Sequence, residues 1–292
     1  MNLSIYKEGN FIYFHNGIVE EESVNLNNLN LKKDIDLVII HDIDKSCKID
    51  LVINELVNAS VLEIFYLHGE DKIEVNKNII CKKGSLLNIT TIEHSSAGFK
   101  SDVVVKTTIE EDASVVNKKL ALYLNEINEK EYVDLNGKKA LYDNFNVLIN
   151  ASGIIQNSDL VVTHNDVDTN SIMRNYGIAK GSSTLNINTN GLVKRGAKRS
   201  NVSQKSKGIL LDIDSKISAN PWLQIDEFDC LASHGAGIGA ISEEELYYLM
   251  SRGLTRSESE RIIIDGFVSP IYKEIKQEKM REDITNLVKK YL

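Results

Sequence analysis

Proline is nearly missing from this 292-residue chain: Pro221 and Pro270 are its only two. With so few residues unable to donate a backbone hydrogen bond, little forbids long β ladders. Cysteine is scarce as well. Cys47, Cys81 and Cys230 are three thiols at wide spacing, which excludes a disulfide framework and a Cys-x-x-Cys metal knuckle. A reducing cytoplasm is the expected location. No apolar run approaches the ~18 residues of a membrane span, and Lys7 and Glu8 stand where a signal peptide would need its apolar segment. Positive charge is in deficit: 34 Lys and Arg against 42 Asp and Glu give a net charge of −8. Binding a phosphate backbone needs a basic face, so neither nucleic acid nor a membrane is expected as a partner. There is no Gly-x-Ser-x-Gly elbow and no His-Glu-x-x-His helix, so nothing signals a conventional hydrolase.

What is present is an ordinary globular composition, 42% hydrophobic and 26% charged, long enough for one large or two modest domains. From about residue 36 to 235 one texture repeats. Short β-branched runs such as "KIDLVI" (48–53), "SVLEIFYL" (60–67), "SDVVVKTTI" (101–109) and "STLNINTN" (183–190) are separated by Asn, Asp, Gly, Ser and Lys. These runs are too short for helices and are bounded by turn residues, so they read as strands. A doubly wound sheet would need helical crossovers of about ten residues or more, and none fits between most of them. The reading is mainly β, with a solenoid favoured over a sandwich, although no fixed repeat length is visible.

The texture changes at Ser242. "SEEELYYLMSRGL" opens with Ser242 and Glu245 in capping-box spacing and closes on Gly253; Thr255 and Glu258 repeat the spacing. Leu246, Leu249 and Met250 form one expected apolar stripe, and Ile262, Ile263 and Phe267 another. Pro270 is placed near the start of a last helix. The expected division is an amino-terminal segment (1–35), a β core (36–240) and a helical domain (241–292), with His234 at the joint.

Few motifs carry chemistry. "YGIAKGSST" (176–184) fails as a phosphate loop because Lys180 precedes Gly181 instead of following it. "GLVKRGAKRS" (191–200) places Lys194, Arg195, Lys198 and Arg199 together, either as a solvated ladder on a strand or as a site for an anion or acidic partner. Cys230 and His234, four apart, are half of a metal site at most. His234 is either an imidazole that ligates metal or moves protons, or a cap on the strand-to-helix corner. Around it, Gly235, Ala236, Gly237 and Gly239 let a backbone or second chain approach closely.

Residues 174–226 and 232–267 resemble the SufB/SufD family of iron–sulfur cluster assembly proteins. The resemblance lies in an ordered series: Tyr176-Gly, Gly181-Ser-Ser, Gly191-x-Val, Ala197-Lys, Gln204, a Leu-Leu strand, Pro221-x-Leu-x-Ile, Ser-His-Gly-Ala from Ser233, and Tyr-Leu-x-Ser-Arg-Gly from Tyr248. It implies a right-handed parallel β-helix followed by a helical domain. It also implies a non-enzymatic subunit of a SUF-type complex, paired near the carboxyl-terminal end of its β-helix with a SufB-type chain or a second copy of itself. A SufC-type ATPase would dock on the helical tail, at Glu245, Tyr247, Tyr248 and Arg252. His234 would then sit at the subunit interface and serve nascent cluster assembly or iron entry, with Cys230 as an accessory thiol. Iron or an iron–sulfur cluster would be present transiently, and the chain itself would bind no nucleotide. Gly235 replaces the Glu of the His-Glu-Ala found in SufB-type scaffolds, and no cysteine lies between 82 and 229; both features are SufD-like. Many SufD chains carry Cys where this one has Ala232, and no counterpart of the amino-terminal helical extension of long family members is expected, as in short versions of the family. Two other readings are a purely structural adaptor for the ATPase and a β-helix enzyme acting on carbohydrate or acyl groups.

Overall fold

The computed structural model describes residues 3–26 and 29–292. A short 3-10 turn (Leu3–Tyr6) leads into a hairpin of β1 (Phe11–His15) and β2 (Ile18–Glu22), followed by β3 (Asn30–Leu31), β4 (Ile35–Ile43), β5 (Cys47–Ile53) and β6 (Asn58–Leu67). The chain continues through β7 (Ile73–Cys81), β8 (Leu86–Ser95), β9 (Lys100–Ile109), β10 (Ser114–Leu122), β11 (Glu126–Leu135) and β12 (Leu141–Asn150). It closes with β13 (Ile155–His164), β14 (Asn170–Ala179), β15 (Thr184–Val193), β16 (Ser200–Leu210), β17 (Lys216–Ile225) and β18 (Cys230–Ala240). From β3 onward, odd strands build an eight-stranded sheet and even strands join the hairpin in a ten-stranded one. The pairing is parallel in both sheets apart from the β1–β2 hairpin. Mainly β structure in a solenoid of about 8 turns, with helices after it, is the architecture expected from the sequence.

The coil does have a period, though not a fixed one. Leu86 pairs with Ser114, Ser114 with Leu141, Leu141 with Asn170 and Asn170 with Asn201, so successive coils advance by 28, 27, 29 and 31 residues. Corners of unequal length hide the repeat. Several strands lie outside the runs quoted above, among them β7, β10, β11, β14 and β18. The basic cluster at 194–199 is a corner, not a strand: Gly196 and Arg199 take positive φ (98° and 58°), and Arg199 Nε donates to Asp168 at 2.6 Å.

The two sheets differ in what covers them. On β11, one face is buried and the other open in strict alternation, whereas β8 is buried almost continuously. The cause is helical. After α1 (Glu243–Ser251), the helices α2 (Arg256–Tyr272) and α3 (Glu278–Tyr291) lie against the outer face of the ten-stranded sheet. There Ile40, Ile64, Ile92 and Val147 pack with Val268, Ile271, Ile284 and Val288 in a second apolar core. Each fully buried aliphatic side chain contributes about 1.5–3 kcal/mol, so the helical segment shares its stability with the solenoid. The amino-terminal residues belong to it too: β1 pairs in parallel with β4, and Tyr6 donates to Asp283 Oδ2 of α3 at 2.7 Å.

Helix starts follow the capping logic. Thr255 Oγ1 accepts from the Glu258 N–H at 3.2 Å, while the Thr255 N–H donates to Glu258 Oε2 at 2.8 Å. Thr255→Ala is expected to lower stability by about 1 kcal/mol, read as faster amide exchange at Glu258. Pro270 differs from expectation: it lies inside the last turn of α2, not at a helix start. Of the two expected stripes, Leu246 is buried but Met250 and Ile262 are exposed. The fully buried side of α2 is Ile264, Val268 and Ile271, with Ile263 and Phe267 of the expected stripe partly buried against the same core.

Candidate functional site

The solenoid ends without a lid. Among the described residues β18 pairs only with β16, and β17 only with β15, so the far edge of each strand is unpaired. Large apolar side chains stand exposed there: Trp222 at 62%, Leu231 at 72% and Phe228 fully. Exposed apolar side chains and open strand edges are features that favour association.

His234 lies in the middle of β18, nine residues before the first residue of α1, not at a strand-to-helix corner. The switch to helix comes at Ile241 and Ser242, where Ser242 Oγ accepts from the Glu245 N–H at 3.4 Å. In parallel register His234 stands beside Gln204. Gln204 and Val202 are buried on the solenoid side of β16, so His234 is on the inward face. It is exposed because no further coil covers it.

The neighbours divide by strand parity. Gly235, Gly237 and Gly239 take the outer face, and an added Cβ at any of them would meet nothing within 4 Å. Ala236 sits on the inner face with His234 and is separated from the glycines it accompanies in sequence. The bare backbone of β18 lines a groove of about 1280 Å³, with Lys205, Lys207, Tyr248 and Phe267 among its other residues. Lys207 Nζ lies 4.9 Å from the centre of the Phe267 ring.

Cys230 and His234 do not meet. Four residues along an extended strand span about 13 Å, a spacing that would bring two side chains together only on a helix. Cys230 is half-buried against the solenoid core, and its Sγ donates to the Glu227 carbonyl at 3.2 Å. Burial pushes its thiol above the usual range, and the Glu227 and Asp229 carboxylates add to the shift. Among the described residues no three His, Cys, Asp or Glu side chains form a metal-holding group. A metal at His234 would therefore need ligands from a second chain.

Of the helical residues singled out in the sequence, Glu245, Tyr247 and Tyr248 lie on α1 and Arg252 is its C-cap. Tyr247 and Tyr248 are exposed at 75% and 59%, and the Arg252 guanidinium lies 5.3 Å from the Tyr248 ring centre. Met250 and Ile262, which sequence periodicity had turned inward, are exposed as well. The groove residues Lys205, Lys207 and Phe267 were missed as site residues. Their signal was the alternation of Lys205 and Lys207 across a strand that ends beside a glycine-rich one.

A family model described as the SufBD core domain of SUF-system FeS cluster assembly matches residues 48–267. The chain belongs to the SufB/SufD family. The match runs from β5 into α2 and takes in β18, α1 and the groove between them. Among SufB/SufD relatives, the chain is 35% identical over 115 residues to the iron–sulfur cluster assembly protein SufD of Bacillus subtilis, an alignment covering 39% of this chain and 26% of that protein. It is 25% identical over 292 residues to SufB of the same organism, covering 95% of this chain and 59% of the relative. A SufBD family protein of Mycobacterium leprae is 27% identical over 206 residues, covering 68% and 23%. The chain thus spans less than two thirds of the length of each of these relatives. No helix among the described residues is long and apolar enough to cross a membrane.

Proposed function

We propose that this chain is a SufD-like, non-catalytic subunit of a cytoplasmic SUF-type complex that supports nascent iron–sulfur cluster assembly or iron entry where two solenoids meet. The observation that carries this reading is the uncapped last coil, where inward-facing His234 opens to whatever covers β17 and β18. The covering partner is a SufB-type chain or a second copy of this one. It completes the ligand set that His234 begins, and the iron or cluster is cargo passed through the junction. The SufC-type ATPase docks on α1 through Tyr247, Tyr248, Glu245 and Arg252. Gly235, where SufB-type scaffolds carry Glu, leaves His234 as the donor at the middle of this strand, with Cys230 at its start as an accessory thiol.

Native mass spectrometry after anaerobic co-expression with a SufC-type ATPase and a SufB-type chain tests the assembly. The expected particle holds two solenoid subunits and two ATPases, and a lone monomer would sink the proposal. His234→Ala should form the same particle but build clusters roughly tenfold more slowly or worse, as losses around metal ligands typically do. An unchanged rate would instead favour the structural adaptor, a reading that has one support here: among the described residues His234 belongs to no group of three metal-holding side chains.

A further inference from the structure

Solenoid cores are normally aliphatic, yet β6 to β11 send charged side chains inward. Glu63, Lys77, Glu93, Lys119, Glu129 and Glu131 are all buried, and all but Glu63 line a cavity of about 40 Å³. A cavity of this size has room for ordered water. One side of it is balanced. Glu63 accepts from Lys77 and lies 3.1 Å from His41 Nε2. Burial alone would raise the Glu63 carboxyl, but the Lys77 charge and His41 hold it down at about 2.

The other side is not balanced. Lys119 donates to Glu129 Oε1 at 2.7 Å and also to Glu131, while Glu93 accepts from the Tyr123 hydroxyl. One ammonium therefore faces three carboxylates, and Glu129 Oε2, on a residue 1% exposed, has no hydrogen-bond partner. Burial and the Glu93 charge, with Glu131 adding to them against Lys119, push Glu129 up to about 8. Burial raises Glu93 as well, again against Lys119. The Tyr142 hydroxyl across the cavity is raised by burial and stays protonated.

From Lys119 a polar column leads toward the open end. Asn146, Asn175 and Ser206 are its register partners on the next three even strands, a distance of about 14 Å at the usual strand spacing of about 4.8 Å. Asn144 and Gln204 stand beside the column, and Gln204 is in register with His234. Asn146 Oδ1, Asn144 Nδ2, Gln204 Oε1 and Ser206 Oγ have no hydrogen-bond partner, though each residue is 3% exposed or less. Buried polar atoms without a protein partner are satisfied by ordered water.

We propose that the solenoid interior stores one exchangeable proton on the Glu93–Glu129 pair and trades it with the open end at His234 through waters held by Asn146, Asn175, Ser206 and Gln204. The proton enters from solvent at the open end as an O–H bond forms on the carboxylate, and it leaves by the same route. The inference goes beyond the assembly role and stands without it.

Infrared spectroscopy of the full chain at neutral pH tests both halves. A protonated carboxyl band is expected that Glu129→Gln removes and that titrates away in the unmutated chain near pH 8. Its exchange on transfer to heavy water should slow by roughly tenfold, a barrier rise of about 1.4 kcal/mol, in Gln204→Leu and in Ser206→Val. Absence of the band overturns the store, and equally fast exchange in both plugged variants overturns the route. Should Glu129→Gln fail to fold, the titration of the unmutated chain decides the first point alone. Neither readout needs an ATPase or a cluster, so failure here is separable from failure of the assembly reading. Stability carries the same signature. Glu129 binds its proton more tightly when folded, so its contribution is full below the ordinary carboxyl value of 4.5 and is lost as pH rises through about 8. The denaturation midpoint should fall over that window in the unmutated chain, and fall less in Glu129→Gln.

Discussion

Lys119→Ala is expected to destabilise the solenoid by about 3–5 kcal/mol, the cost of removing one partner from a buried ionic cluster. Lys119 is 3% exposed and is the cation in contact with Glu129 and Glu131. Without it three inward carboxylates face one another, and folding requires that they take up protons. The loss should therefore be smaller near pH 5 and larger near pH 8, because carboxyl groups raised by burial and mutual repulsion lose stability as pH rises. Urea denaturation at both pH values reads this directly. Lys119→Met combined with Glu93→Gln, Glu129→Gln and Glu131→Gln should recover much of the loss, since a neutral cluster has no charge left uncompensated. If the single substitution lowers the midpoint no more than an exposed Lys→Ala change does, the cluster is not the closed chamber described here.

Gly137→Ala should be nearly as damaging, for a steric reason alone. Gly137 lies in the corner between β11 and β12, stacked on the corner of the preceding coil. A Cβ there would sit 2.0 Å from the Glu111 nitrogen, 2.4 Å from its Cα and 2.6 Å from the Glu110 carbonyl carbon. All three are backbone atoms fixed by the ladder, so no rotamer change relieves the overlap. A cost of about 3 kcal/mol or more is expected, at the upper end for overpacking. Gly266→Ala is the matching control. On α2 an added Cβ meets nothing within 4 Å, and alanine should stabilise the helix by about 0.5–1 kcal/mol. Thermal melts of the two variants should move in opposite directions.

Much of the fold was legible because local rules and tertiary structure agree. "STLNINTN" alternates in sequence and in space, with Leu185 and Ile187 in the core, and the caps at Ser242 and Thr255 both form. Legibility failed where a second layer intervened. The runs in β8 and β10 lose their alternation because α2 and α3 bury the outer face, and the inward Lys119 breaks the pattern further. β18 was unreadable as a strand: its glycines and alanines carry little β propensity, so His234 looked like a corner residue instead of a mid-strand one. Cys230 and His234 were read as half of a metal site from residue type and a separation of four, and an extended backbone holds the two side chains about 13 Å apart. Tyr247 and Tyr248 were identified as exposed helix residues, whereas Met250 and Ile262 were assigned to a buried stripe. Periodicity fixes which residues share a face but not which face the neighbours cover.

The two ends of the solenoid are unlike. At one, β2 turns back antiparallel on β1 and presents Glu20, Glu21 and Glu22 along an exposed edge, a charged strand that resists further pairing. At the other, β17 and β18 offer bare edges beside exposed Trp222 and Leu231. A rod sticky at both ends grows into a fibre, because every addition recreates the surface it consumed. A rod sticky at one end has a valence of one, so association stops as soon as its single face is covered, whatever the concentration.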